Sequence, residues 1–335
     1  MPSSPEQQDL FGAPSSEQWA DIVRAAPVSA ELTRLARRLP ENLKLGTSSW
    51  SFSGWEGIVY GGNYKTQTIA RHGLAAYAKH PLFNGVGLDR TFYGPVGVDE
   101  LAEYARVVPD GFRFLCKAYT ALTTDPTSAR ASRSEIEPAF LDADLATRQV
   151  IAPLAEAFGR KLGAVLFQFS PLGPGFLRAP QSFADNLGEF LNALPKGITY
   201  AIELRDSEVL GQHYDAVLNQ TGATHCASVH SRMPPVDQQV GSSVRTPTVL
   251  RWMLHPTQDY ASAAVKYRPF DRLIDPDLTN RERIVKLILQ SIKTQSDIHV
   301  VAANNAEGSA PLTILEIARA VANAHEADAS SHRKP

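Results

Sequence analysis

Eight short apolar runs alternate with longer amphipathic stretches, and this alternation constrains the fold more than any other feature of the chain. The runs are LKLGTSSW, GVGLDRTFY, FRFLCKAY, GAVLFQFS, TYAIELRD, HCASVH, TVLRWML and DIHVVAANN. Stretches with helical spacing follow most of them, among them TQTIARHGLAAYAKH, VDELAEYARVVP, QSFADNLGEFLNALP and RERIVKLILQSIKTQ. Runs of this length read as strands, and the stretches between them as helices. Strand–helix repetition makes neighbouring strands parallel and covers them with helices. Eight such units predict an α/β fold of the (β/α)8 TIM-barrel type rather than an open doubly wound sheet.

Two connections depart from the repeat. SRMPPVDQQVGSSVRTP is too rich in Pro, Gly and Ser for a helix, so no regular helix is predicted between strands 6 and 7. The third connection carries a polar insertion, TALTTDPTSARASRSEIEPAF. Loops that follow a barrel strand frame the active face. The reading places disorder at residues 1–15, a helical extension broken by Pro27 at 16–40, one barrel domain at 41–325 and a disordered tail at 326–335.

A formal net charge of −2 argues against a broad electrostatic grip on nucleic acid or membrane, although a local basic cleft remains open. The two cysteines, Cys116 and Cys226, lie inside apolar runs, which predicts free thiols and a reducing compartment. The polar, Pro/Ser-rich start lacks the basic and apolar parts of a signal peptide, and no run is long enough to span a bilayer. A cytoplasmic protein is expected. Oligomeric state is left open.

Within AIELRD, side chains two apart share a face, so Glu203 and Arg205 point one way and Ile202 and Leu204 the other. Comparable polar residues end the other strands: Asp89 and Tyr93, Lys117, Gln168, His230, Arg251 and Asn304. In a barrel they converge on the C-terminal mouth. Lys117, Arg205 and Arg251 would bring cations there for an anionic group. Ser309, at the start of the last helix, would add backbone N–H groups, unless it serves as a plain cap. Trp50 and Tyr93 are candidate stacking surfaces. Glu203 is the candidate general acid or base, with Asp89 and His230 as partners. A structural ion pair is the competing reading for Glu203.

The motifs GTSSWSFSGWEGIVY, TFYGP, FRFLCKAYT, LGAVLFQFSP, AIELRDSE and NNAEGSAP, in this order, resemble the YecE-like family, domain of unknown function 72. The resemblance covers Leu43 to Ala324 and implies a TIM barrel, but no settled reaction. Lys117, Gln168, Glu203, Arg205 and Asn304 match the family pattern. Gly87 and Asp89 stand where that pattern usually has Glu and Asn, and Asp206 stands where it often has His.

No dinucleotide loop, Walker loop, nucleophile elbow or Cys-x-x-Cys occurs, so no cofactor is implied. A divalent metal on Asp89, Glu203 and His230 is the lesser reading, because no close ligand spacing supports it. Two function classes stay open. One is an enzyme acting by acid–base chemistry on an anionic small molecule, a phosphorylated sugar or a nucleotide. The other is a non-catalytic protein that binds an anion or nucleic acid at the same cationic mouth.

Overall fold

Parallel pairing of each strand with its successor, and of the last with the first, closes the sheet into an eight-stranded barrel. The computed structural model describes residues 22–239, 248–293 and 297–331. In chain order the elements are α1 (Ala30–Arg37), β1 (Leu43–Thr47), α2 (Thr66–His72), α3 (Leu74–Tyr77), β2 (Gly85–Leu88), α4 (Val98–Arg106), β3 (Arg113–Lys117), α5 (Ala143–Ala146), α6 (Ala152–Phe158), β4 (Leu162–Gln168), α7 (Pro174–Arg178), α8 (Pro180–Ala193), β5 (Tyr200–Glu203), α9 (Gln212–Thr221), β6 (Thr224–Val229), β7 (Val249–Trp252), α10 (Tyr260–Tyr267), α11 (Leu278–Ser291), β8 (Ile298–Ala302) and α12 (Ala310–Ser331). The (β/α)8 TIM barrel expected from the alternation is therefore the fold.

Alternation along each strand separates two apolar layers. Leu45, Val86, Phe114, Phe167, Ile202 and Ile298 face outward into the core shared with the helices. Leu115, Ala164, Leu166, Ala201, Cys226, Val249 and Val301 form a separate plug inside the barrel. Strands β1 and β2 add only small residues there. A Cβ on Gly46 would fall 2.0 Å from the Gly85 carbonyl oxygen. Backbone meets backbone at that point, so no side chain can yield. Gly46→Ala is expected to cost about 1–3 kcal/mol, the range of a forced overpacking. Urea unfolding at neutral pH reads this directly, and a change within error would mean the two strands separate more easily than their contact implies.

Below the plug, at the N-terminal end, Arg113 pairs with Asp297 at 2.8 Å and Lys44 lies 3.7 Å from the same carboxylate. His299 is buried there, and Gly163 leaves room for its ring, since a Cβ would sit 2.3 Å from the imidazole carbon Cε1.

Helix boundaries follow local chemistry. Ser29 caps α1 by accepting the Leu32 N–H at 3.1 Å. Gly73 separates α2 from α3. Between α5 and α6 the backbone makes one π-turn, Thr147–Ile151, just before Pro153, which has no N–H to continue the ladder. The described part of the β6–β7 connection holds a single 3-10 turn, Val236–Gln238. The helix α10, with the capping pair Asp259 and Ser262, was not read from the sequence. The final helix runs to Ser331, past residue 325 where the sequence reading ended the barrel domain. Of the expected N-terminal extension, Ala30–Arg37 is helical, and residues 1–21 lie outside the described residues. Both cysteines are buried and free. No described helix is long and apolar enough to cross a membrane.

Candidate functional site at the C-terminal mouth

Strand β5 places Ile202 in the outer core and Glu203 inside the barrel, fully buried. A carboxylate without water must be paired or it loses its charge. Arg205 donates through Nη2 to Oε1 at 2.5 Å, and Arg251 of β7 donates through Nη1 to Oε2. Cys226 Sγ lies 3.9 Å from Oε2. Gln168 of β4 accepts from Arg251 Nη1 at 3.3 Å. Arg205 and Arg251 are themselves buried, at 7% and 4% exposure, so three charges share one dry site. Register explains the meeting. Gln168 is level with Glu203, and Ser228 with Arg251.

Burial alone would raise the Glu203 carboxyl, but the guanidiniums of Arg205 and Arg251 outweigh it and hold the group at about 2. Arg251 is correspondingly pushed up: burial opposes its charge, and Glu203 and then Asp89 overcome that. Lys117, at the end of β3, has its ammonium 3.6 Å from the Phe92 ring centroid. No described carboxylate lies within ion-pair distance of it. Burial lowers it to about 8. Asp89 and Glu203 oppose the fall, whereas Arg251 and Arg205 add to it. The turn Arg90–Phe92 that carries the ring is tied to β3 by the Thr91 hydroxyl, which donates to the Lys117 carbonyl at 2.6 Å.

His230 is half-buried, and its Nδ1 accepts the Arg232 backbone N–H at 3.2 Å. Burial, then Arg205, lowers it to about 4, so it is neutral at pH 7. Two buried polar atoms near the clamp have no partner in the protein, Arg251 Nε and Ser228 Oγ. Both atoms are closed off from solvent.

Several sequence candidates sit elsewhere. Trp50 is a loop anchor. Its indole N–H donates to the Ala70 carbonyl at 3.2 Å, and its ring meets Tyr104 edge-on at 5.4 Å. Asn304 accepts from Trp55 Nε1 at 3.1 Å and from the Ala310 N–H at 2.9 Å, so it caps α12 and leaves that role to neither Ser309 nor a ligand. Ser309 is fully buried, and Gly308 at φ +117° has the Arg272 carbonyl packed against it, so the start of α12 is closed rather than open to an anion. Tyr93 stands on the rim at 70% exposure. Gly87 faces the barrel interior, where a Cβ would lie 3.2 Å from the Ser48 backbone, and the acid of that strand is Asp89, half-buried at the mouth. Among the described residues no group of three His, Cys, Asp or Glu can hold a metal ion.

Tyr260 is a mouth residue that the sequence reading missed. Its side chain opens α10 and is half exposed, and its phenol is raised, first by burial, with Arg205 opposing. The Asp-x-x-Ser cap beginning at Asp259 was the available signal: Asp259 accepts the Ser262 N–H at 2.9 Å.

The profile described as "Protein of unknown function DUF72" matches residues 44–335. Among solved structures, the chain is similar to a DUF72 family protein from Enterococcus faecalis V583, with TM-score 0.53 and 16% identity over 83% of this chain and 95% of that one. It is also similar to a DUF72 family protein from Thermotoga maritima MSB8, with TM-score 0.52 and 18% identity over 83% and 98%. At such identities the likeness concerns the fold. No curated protein matches the chain. The barrel, the strand-end motifs and the profile match agree, and the chain belongs to the DUF72 family.

Proposed function

We propose that this protein is an enzyme that binds an anionic small molecule, a phosphorylated sugar or a nucleotide, at the C-terminal mouth of the barrel and moves a proton on it. The observation that carries the reading is the fixation of Arg205 and Arg251 on the fully buried Glu203, with Lys117 at about 8 beside them. In this reading the proton-transfer role passes from Glu203 to Lys117. A carboxylate held at about 2 by two guanidiniums is a weak base, and protonating it would strand both cations. Glu203 instead orients the two arginines, whose cationic heads beside Lys117 attract the anion. An amine near 8 is poised to take and return a proton at neutral pH. Asp89 and Tyr260 complete the polar surround.

Two measurements test this. After reductive methylation with labelled formaldehyde, one lysine resonance is expected to titrate near pH 8. It should be absent in Lys117→Met and shifted lower in Glu203→Gln, because Glu203 is one of the charges holding it up. Phosphosugars and nucleotides that raise the thermal midpoint are then followed by NMR for turnover. Lys117→Met is expected to bind such a compound and not convert it. A Lys117 that titrates near 10, or turnover unchanged in Lys117→Met, removes the catalytic assignment. Binding without turnover in the wild type leaves the non-catalytic reading.

A further inference from the structure

A cationic cavity of about 540 Å³ opens beside the mouth and is lined by Arg130, Arg133, Ser134, Pro171, Leu172 and Arg232. These residues come from three loops, and two buried carboxylates hold the loops together. Asp206, 2% exposed, uses both oxygens. It accepts from Arg232 Nη2 at 2.7 Å and from the Leu172 N–H at 2.8 Å. Asp125, 1% exposed, accepts from the Thr127 N–H at 2.8 Å and from the Gly173 N–H at 2.7 Å. Glycine is required at the second contact, since a Cβ on Gly173 would lie 2.1 Å from the Thr127 hydroxyl oxygen. The polar insertion after β3 is thereby pinned to the loop after β4.

The insertion then presents its cations in register. Ala131–Arg133 is a 3-10 turn, started by the Ser128 hydroxyl, which accepts the Ala131 N–H at 3.2 Å. Side chains three apart eclipse in such a turn, so Arg130 and Arg133 lie on one side. Neither makes an ion pair with a described carboxylate, including the nearby Glu135 and Glu137. Arg232 spends part of its charge on Asp206, yet its side chain stays 52% exposed. No carboxylate lines the cavity. Three guanidiniums with free N–H groups suit a phosphate better than a carboxylate, because a phosphate offers three oxygens and more charge.

The rim cavity and the inner clamp are joined. Arg232 Nε donates to the Arg205 carbonyl at 3.0 Å. The Phe92 ring carries Lys117 at 3.6 Å and Arg130 at 6.0 Å from its centroid. We infer that Arg130, Arg133 and Arg232 form a phosphate subsite, and that the molecule bound at the mouth carries two anionic groups, one for the inner clamp and a phosphate for the rim. This rests on the reading of the inner clamp as an anion site and names the substrate class more closely.

The probes are alkane bisphosphates of increasing chain length, with the matching alkyl monophosphates, titrated calorimetrically into the full-length protein. A chain that spans both sites should bind at least about tenfold tighter than its monophosphate, because the second contact becomes intramolecular. The exposed double variant Arg130→Ala/Arg133→Ala should remove that gain, so that bisphosphate and monophosphate bind the variant with equal affinity. A second variant, Asp206→Asn, should reduce the gain by loosening Arg232. Equal affinity for mono- and bisphosphates at every length, or a gain that survives Arg130→Ala/Arg133→Ala, overturns the rim subsite, while monophosphate binding retained in that variant still supports the inner clamp. No binding of any monophosphate overturns the inner reading and this one with it. Loss in the double variant of tight, steeply salt-dependent binding to a single-stranded oligonucleotide, with no bisphosphate gain in the wild type, assigns the arginines to nucleic acid and also overturns the proposal.

Discussion

Glu203→Gln is expected to lower the unfolding free energy by about 3–5 kcal/mol, the usual cost of breaking one side of a buried ion pair. The amide cannot balance Arg205 and Arg251, and its NH2 group would face one of their donors. An exposed pair would instead contribute about 1 kcal/mol or less. The decision between these magnitudes rests on burial: Glu203 is 0% exposed and its partners 7% and 4%. The double variant Glu203→Gln/Arg251→Met should recover part of the loss, because it removes a stranded cation along with the carboxylate. Urea unfolding of wild type, single and double variants measures all three. A single-variant loss below about 1 kcal/mol would place water beside the arginines and return Glu203 to the exposed class.

Acid should destabilise the protein in two stages. His225 and His299 are both buried and held at about 4, each mainly by burial. His225 is fixed as the neutral ring. Gln239 Oε1 already accepts the Ser228 N–H, so it also accepts from Nε2, which leaves Nδ1 to take the Tyr214 hydroxyl at 2.9 Å. The unfolded chain binds these protons near pH 6.5, whereas the folded chain refuses them until about 4. Folded pKa values below unfolded ones mean that stability falls as pH drops from 6.5 towards 4. Each fully buried ring contributes on the order of 3 kcal/mol across that window. Glu203 adds the second stage. Its contribution is present above 4.5 and is lost as pH falls towards 2. Guanidinium unfolding at stepped pH should show a slope between 6.5 and 4 that is shallower in His299→Asn. A flat profile in that window would mean that both rings protonate freely in the folded state.

Strand parity alone aimed Glu203 and Arg205 into the barrel, and apolar alternation located the eight strand ends to within a few residues. The chemical role of Glu203 was not legible that way. Whether a carboxylate is a base or an anchor depends on how many cations share its dry volume, and Arg251 lies 48 residues along the chain. Ser309 read as the plain cap of the last helix, and only the fold shows the Asn304 side chain reaching the Ala310 N–H from six residues away. Trp50 read as a stacking platform, because aromatic residues in a loop carry no mark of which way they turn. The cation pair Arg130 and Arg133 read only as part of a polar insertion, since Arg232, which completes their cavity and is held by Asp206, comes from another loop.

The sequence by itself determined the barrel, its order of strands and the end at which polar side chains gather. Those features follow from local period and from burial of apolar faces, which act within one strand or helix at a time. Only the tertiary structure decided that Glu203 is buried between two guanidiniums, that Lys117 is buried without a carboxylate partner among the described residues, that Asn304 takes the Ala310 N–H and that a cationic cavity lies among the loops beside the mouth. Each of these depends on distances between residues on different strands and loops, where electrostatic energy and desolvation change steeply within a few ångströms.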